Sequence, residues 1–152
     1  MGENGRPRMY PPMYVGLSVL LMLGLHHFLP GRQIIDWPSR YWGLVPVVLG
    51  LWVVLSVRIM FIRAGTTIKP FQESSKLVVN GPFRFSRNPI YLGMTVALFG
   101  FAMLLGSLTP FLVPPMFFLV INRYFVPVEE AMLAAAFGSQ FDEYRGRVRR
   151  WL

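Results

Sequence analysis

The sequence predicts an all-α integral membrane protein with about four transmembrane helices and a cytoplasmic C-terminal amphipathic helix. Three observations carry that reading. Four apolar runs succeed one another, at about 13–29, 41–62, 89–106 and 109–126. Of the 152 residues 54% are hydrophobic and 14% charged, where a soluble domain carries about 25% charged. The Lys and Arg residues lie almost entirely outside the apolar runs. A span needs about 20 apolar residues. In hydrocarbon each backbone amide must be bonded within its own segment, so runs of this length are helices. The whole chain, 1–152, reads as one domain.

Each element can be justified in order. Residues 1–10 are polar and carry Arg6 and Arg8. The first run resembles a signal peptide, but no small-residue cleavage site follows, and His26, His27, Phe28 and Pro30 at its end are bulky, so it reads as a retained span. Tyr10 and Tyr14 flank it, and Trp37, Tyr41 and Trp42 flank the start of the second run, as interfacial anchors do. Only Ser107 to Pro110 separates the third run from the fourth, which predicts a tight antiparallel hairpin. Gly93 with Ala97, and Ala102 with Gly106, offer that hairpin small residues for close contact. Pro114-Pro115 is expected to kink or break the fourth helix. Over 127–151, Leu133, Phe137, Phe141, Tyr144, Val148 and Trp151 recur every three or four residues, the stripe of an amphipathic helix. Pro127 suits its first turn, Glu129 and Glu130 suit the positive end of its dipole, and Gly138 marks a bend.

Charge sets the orientation. With four spans, both termini and the middle loop, 64–88, share a side. That side holds thirteen of the fifteen basic residues; only Arg32 and Arg40 fall on the other. The termini and the loop are therefore expected in the cytoplasm. The net charge of +8 then faces anionic membrane lipids rather than nucleic acid.

Several chemistries lack their residues. Without cysteine there is no disulfide, thiolate nucleophile or Cys-based metal site. No G-x-G-x-x-G or Walker-type loop is present. His26-His27 lies far in sequence from any acid, so it reads as a packed or interface-facing pair and no metal site is expected. Ser74, Ser75 and Ser86 have no loop histidine to act as base. The polar residues gather instead in the middle loop and around Arg123 to Glu130. Both stretches adjoin the mouth of the predicted hairpin, where a water-soluble cofactor and a lipid from the bilayer can meet.

Two stretches carry a resemblance. Arg63-Ala-Gly-Thr-Thr-Ile-Lys-Pro70, then Leu77-Val-Val-Asn-Gly-Pro-Phe-Arg-Phe-Ser-Arg-Asn-Pro-Ile-Tyr-Leu-Gly93, resembles the isoprenylcysteine carboxyl methyltransferases, whose superfamily includes phospholipid methyltransferases. Glu129-Glu130, Phe137-Gly138, Phe141, Tyr144, Arg147-Val148 and Arg150-Trp151 continue it, so it covers about half the chain. The resemblance implies S-adenosylmethionine as cofactor, held by Ser75, Lys76, Leu77, Val78, Phe83, Arg87, Asn88, Pro89, Ile90, Tyr91 and Glu129. The family often has His at Asn88, and both side chains hydrogen-bond. Phe125 stands where the prenylcysteine enzymes carry a substrate-linked arginine, four residues before the matching glutamate. That departure points away from a prenylcysteine carboxylate.

The expected catalytic residues are Glu130, as proton acceptor if the nucleophile is a protonated amine, and Arg123. A sulfonium cation suits aromatic faces and carboxylates, and Phe83, Phe85, Tyr91, Glu129 and Glu130 supply them. Displacement at a methyl carbon needs alignment in a dry site more than it needs an acid or base. The acceptor is expected to be a lipid-like or small amphiphile, with amine, carboxylate, thiol and phenol all open. Two other readings remain: an NADPH-dependent reductase related to sterol reductases, and a non-enzymatic membrane subunit. Cofactor binding separates the three. A Gly/Ala-rich face also suits a homodimer.

Overall fold

The computed structural model describes residues 11–64 and 77–152, and the named elements within them are all helical. Arg6, Arg8, Lys69, Ser75, Lys76 and the rest of 65–76 in the middle loop lie outside the described residues. Helix α1 spans Pro11–Phe28. A 3₁₀ turn at Ser39–Gly43 runs directly into α2, Leu44–Ala64. Helix α3 is Pro89–Leu105. After a 3₁₀ turn at Thr109–Leu112 comes α4, Val113–Val120, then a π turn, Ile121–Phe125, then α5, Val126–Phe137, and α6, Ser139–Arg147. The four expected apolar runs are all helical.

The surface is apolar. Leu20 of α1 is 67% exposed, Trp52 of α2 63% and Leu119 of α4 62%, the reverse of a helix packed in water. Two helical runs, Ser39–Arg63 and Thr109–Phe137, are long and apolar enough to cross a membrane, and α3 is a shorter apolar helix. The core sits where α1, α3 and α4 meet: Met22, Leu98, Ala102, Val113, Phe117, Ile121 and Phe125 are buried together.

The closest helix contact is α2 against α3, not the α3–α4 hairpin that Gly93 and Ala97 suggested. A Cβ on Gly93 would lie 2.7 Å from the Gly50 carbonyl oxygen, and one on Gly100 2.5 Å from that of Gly43. Only glycine lets two backbones approach so far. These glycines are therefore spent on a contact inside the chain. Gly106 has another task. At φ 74° it ends α3 in the left-handed region, where glycine carries no Cβ penalty.

Pro114-Pro115 does not break the fourth helix. The prolines fall in the first turn of α4, where their missing N–H groups have no helical partner to lose. The irregularity comes later. The Val126 N–H bonds the Ile121 carbonyl, five residues back, in the π turn. Pro127 explains this: its ring cannot bond the Arg123 carbonyl and would clash with it, and a widened turn relieves the conflict.

At the end of the bundle opposite the C-terminus, the linker after α1 is tied to the α3–α4 turn. The Ile34 and Ile35 amides bond the Gly106 carbonyl at 2.9 and 3.1 Å. His26 Nδ1 lies 2.7 Å from the Oγ of buried Ser107. His26 is half-buried there, while His27 is exposed.

The C-terminal stretch is not one helix over 127–151. Gly138, at φ 51° and ψ −124°, takes a conformation no helix contains, and separates α5 from α6. The chain then extends at Val148, with φ −120° and ψ 130°, and returns to the start of α3. Of the predicted stripe, Phe141 and Tyr144 are buried together, while Val148 and Trp151 lie beyond the helix.

Candidate functional site

The site end of the molecule is built by three elements: the segment 77–88, the start of α3 and the start of α5. A 3₁₀ turn at Gly81–Arg84 carries the first. Gly81 enters it at φ 59°. Phe83 packs its ring on Phe61 of α2, with centroids 5.7 Å apart. Its carbonyl accepts a 2.8 Å hydrogen bond from the Tyr144 hydroxyl. Burial pushes the Tyr144 phenol up to about 12, against the opposing pull of the Arg87 charge. It therefore remains a donor.

Asn88 and Pro89 open α3. Asn88 forms no side-chain cap. Its Nδ2 instead donates to the Arg150 carbonyl at 3.1 Å, and its amide bonds the Ser86 hydroxyl at 3.1 Å. Ser86 Oγ donates to the same Arg150 carbonyl at 3.2 Å. The Asn88 side chain is thus spent on the C-terminal segment and not on capping the helix. One turn into α3, the Tyr91 hydroxyl donates to Glu129 Oε1 at 2.6 Å. Two residues 38 positions apart are brought together at the mouth of the bundle.

Glu130, beside Glu129 on α5, has different partners. Arg87 Nη2 and Nε approach its Oε1 at 3.0 and 3.1 Å, and Arg150 Nη2 its Oε2 at 2.6 Å. Arg87 also donates to the Val148 carbonyl at 2.8 Å and to that of Arg145 at 3.2 Å. With side chains 10% and 13% exposed, Arg87 and Glu130 form a largely desolvated pair. Hydrogen bonds to charged groups are among the strong ones.

The structure gathers Phe83, Arg87, Asn88, Pro89, Tyr91, Glu129 and Glu130 at one end. Leu77 and Val78 are half-buried on the approach, and Ile90 is half-buried in the first turn of α3. Ser75 and Lys76 fall outside the described residues. Two other residues stand apart from this cluster. Arg123 is exposed in the π turn and makes no ion pair among the described residues. Phe85 is 75% exposed. Phe125 is fully buried, its ring edge-on to Tyr14 at 5.2 Å. The position at which prenylcysteine enzymes carry an arginine thus faces the core.

The resemblance includes Arg150 and Trp151 without giving either a place at the site, and the structure supplies one for each. Trp151 donates from Nε1 to Asn122 Oδ1 at 3.1 Å and packs on Phe118 with centroids 4.5 Å apart. Asn122, a polar residue within an apolar run, was the available signal.

Comparison with known proteins bears on this arrangement. The family model for phospholipid methyltransferase matches residues 39–140. An uncharacterized protein of Haemophilus influenzae is 35% identical over 63 residues, which are 41% of this chain and 100% of that protein. Protein-S-isoprenylcysteine O-methyltransferase of Schizosaccharomyces pombe is 35% identical over 75 residues, 47% of this chain and 30% of that enzyme. A probable protein-S-isoprenylcysteine O-methyltransferase of Oryza sativa subsp. indica is 29% identical over 124 residues, 76% of this chain and 62% of that protein. The matches thus span less than two thirds of either named methyltransferase. No solved structure matches. Apolar helices and family together mark a membrane protein. The matched region contains both carboxylates and the loop residues they meet, and the chain belongs to the phospholipid methyltransferase family.

Proposed function

We propose that the chain transfers a methyl group from S-adenosylmethionine to a lipid-like or small amphiphilic acceptor at the membrane. The 2.6 Å contact of Tyr91 with Glu129 carries the proposal. It joins the two stretches that share the family pattern into one polar site at the end of an apolar bundle.

The residues fit this cofactor by their chemistry. Glu129 offers a carboxylate, Asn88 an amide, and Phe83 and Tyr91 aromatic rings, which favour a cation. The segment 77–78 and Ile90 add apolar contact. When bound, the cofactor supplies a methyl carbon on a sulfonium. The chain's own residues align the partners and exclude water, the main requirements of a displacement. The charge of Glu130 is already balanced by Arg87 and Arg150, so we assign it a bracing role in place of proton acceptance. Both guanidinium groups are engaged, and Phe125 lies in the core. These features favour an acceptor whose reacting end is not an anion.

The topology belongs to the same proposal: four spans on α1, α2, α3 and the α4 run, with both termini and the site in the cytoplasm. The excess of basic residues at the site end supports it.

Calorimetric titration of the detergent-purified protein with S-adenosylhomocysteine tests the reading, with a Glu129→Ala variant and NADPH alongside. Saturable binding weakened at least tenfold in the variant, about 1.4 kcal/mol, is expected. No binding by a folded sample sinks the methyltransferase reading, and binding of NADPH instead promotes a reductase.

A further inference from the structure

Residues 148–151 do more than finish the chain. They form an extended strap that touches three elements at once. The Arg149 carbonyl accepts the Arg87 amide at 3.0 Å, and the Arg150 carbonyl accepts both Ser86 Oγ and Asn88 Nδ2. The Arg150 guanidinium reaches α5, with Nη2 2.6 Å from Glu130 Oε2 and Nε 3.3 Å from Oε1. Trp151 anchors the strap to the α4 run through Asn122 and Phe118.

We infer that Arg150 is a positioning residue: its backbone holds the start of α3 and its side chain holds the start of α5, fixing Asn88, Tyr91 and Glu129 relative to one another. The geometry explains why an arginine is needed. Its planar fork grips one carboxylate through two nitrogens, while a lysine offers a single point charge. Arg87 grips the same carboxylate from the other partner segment, so Glu130 is the joint through which the strap acts. α5 packs chiefly on the π turn and α6. Among the described residues the hydrogen bonds tying α5 to the 87–91 segment are those of Arg87 and Tyr91, which leaves the strap a large share of the holding. The inference rests on the cofactor site proposed above and goes beyond it.

The test uses the full chain in detergent with Arg150→Ala, Arg150→Lys, Glu130→Gln and the double variant Arg150→Ala/Glu130→Gln. Arg147→Ala is the charge control, since Arg147 is exposed and its ion pair among the described residues is with Glu143 on α6. Two readouts are taken: the Kd of S-adenosylhomocysteine, and deuterium uptake by the peptides covering 84–92 and 126–133. Arg150→Ala is expected to weaken binding at least tenfold and raise uptake in both peptides. Arg150→Lys should recover part of each effect, and Arg147→Ala should change neither. Because the side chain acts through Glu130, the double variant should be little worse than Glu130→Gln alone. Wild-type uptake in Arg150→Ala, an equal effect of Arg147→Ala, or fully additive losses in the double variant overturns the inference. Should Arg150→Ala fail to fold, Arg150→Lys carries the test, and its wild-type behaviour in both readouts counts against positioning. If the wild type binds no S-adenosylhomocysteine, the cofactor reading falls, and deuterium uptake still decides whether Arg150 holds these segments.

Discussion

Two neighbouring glutamates divide the work at the site. Glu129 meets a phenol and Glu130 meets two guanidinium groups, so their equal chemistry is differentiated by the side chains that reach each of them. Tyr91→Phe removes only the hydroxyl. A side-chain hydrogen bond contributes about 1 kcal/mol, so a loss of about fivefold in S-adenosylhomocysteine affinity is expected with the helical circular dichroism unchanged. An unaltered Kd would make Tyr91 a neighbour of the site and no part of it. Glu130→Ala acts on the fold instead. It leaves Arg87, 10% exposed in its side chain, without its counter-charge, and breaking such a pair costs about 3 kcal/mol. A clear drop in the thermal unfolding midpoint should result, and an unchanged midpoint would show the pair to be solvated. At this scale the motif named most of the cluster, because Asn88, Tyr91 and Glu129 sit in short, ordered stretches. It contained Arg150 without giving it a role at the site. An arginine in a basic run has the same local signature whether it faces lipid heads or a carboxylate twenty residues back.

Helices were legible for the reason that makes them obligatory in lipid: backbone pairing within the segment. Their partners were not. Gly93 and Ala97 announce a close contact without saying with whom, and the partner proved to be α2, whose Gly50, with Gly43 in the turn before it, completes the interlock. Gly50→Ala would push a methyl against the Gly93 carbonyl and within 2.7 Å of the Ala97 amide. Overpacking of this kind costs about 2 kcal/mol. The same change at Gly16, which has nothing within 4 Å, should leave the unfolding midpoint in place, and similar losses at both positions would refute the α2–α3 interlock. Proline was misread at one site and incompletely read at another. Pro114-Pro115 looked disruptive and falls where proline is harmless, while Pro127 stands in the first turn of α5 as expected and also widens the turn before it. One extra residue in that turn swings the rest of the helix by about 100°, which sets the direction in which Glu129 leaves α5. Pro127→Ala restores the missing donor and lets the helix close normally. The expected result is weaker S-adenosylhomocysteine binding without loss of thermal stability. Affinity equal to wild type would show that the π turn does not aim the carboxylates.

At the scale of the whole molecule the two ends differ in kind. One end is a hydrogen-bonded cap of turns, where His26, Ser107 and Gly106 lock the linker after α1 to the α3–α4 turn. The other gathers the charges, the carboxylates and the returning C-terminal strap. The distribution of basic residues made this polarity legible, since charge placement needs no tertiary contact to be read. The strap was not legible, because its contacts run between residues some sixty positions apart. The polarity makes a prediction about placement in the cell. The chain has no cysteine, so a single introduced one reports its own surroundings. Ser39→Cys lies beside Arg40 at the cap end and Ser139→Cys beside Gly138 at the site end. If the site faces the cytoplasm, Ser39→Cys in intact cells reacts with a membrane-impermeant maleimide, and Ser139→Cys reacts only after the membrane is opened. The opposite labelling would invert the orientation. Labelling of both from outside would mean that an even number of crossings lies between them instead of three, and the four-span topology would fall. The outcome matters for chemistry as well, because a cytoplasmic site has direct access to a soluble methyl donor while its apolar flank remains open to the bilayer.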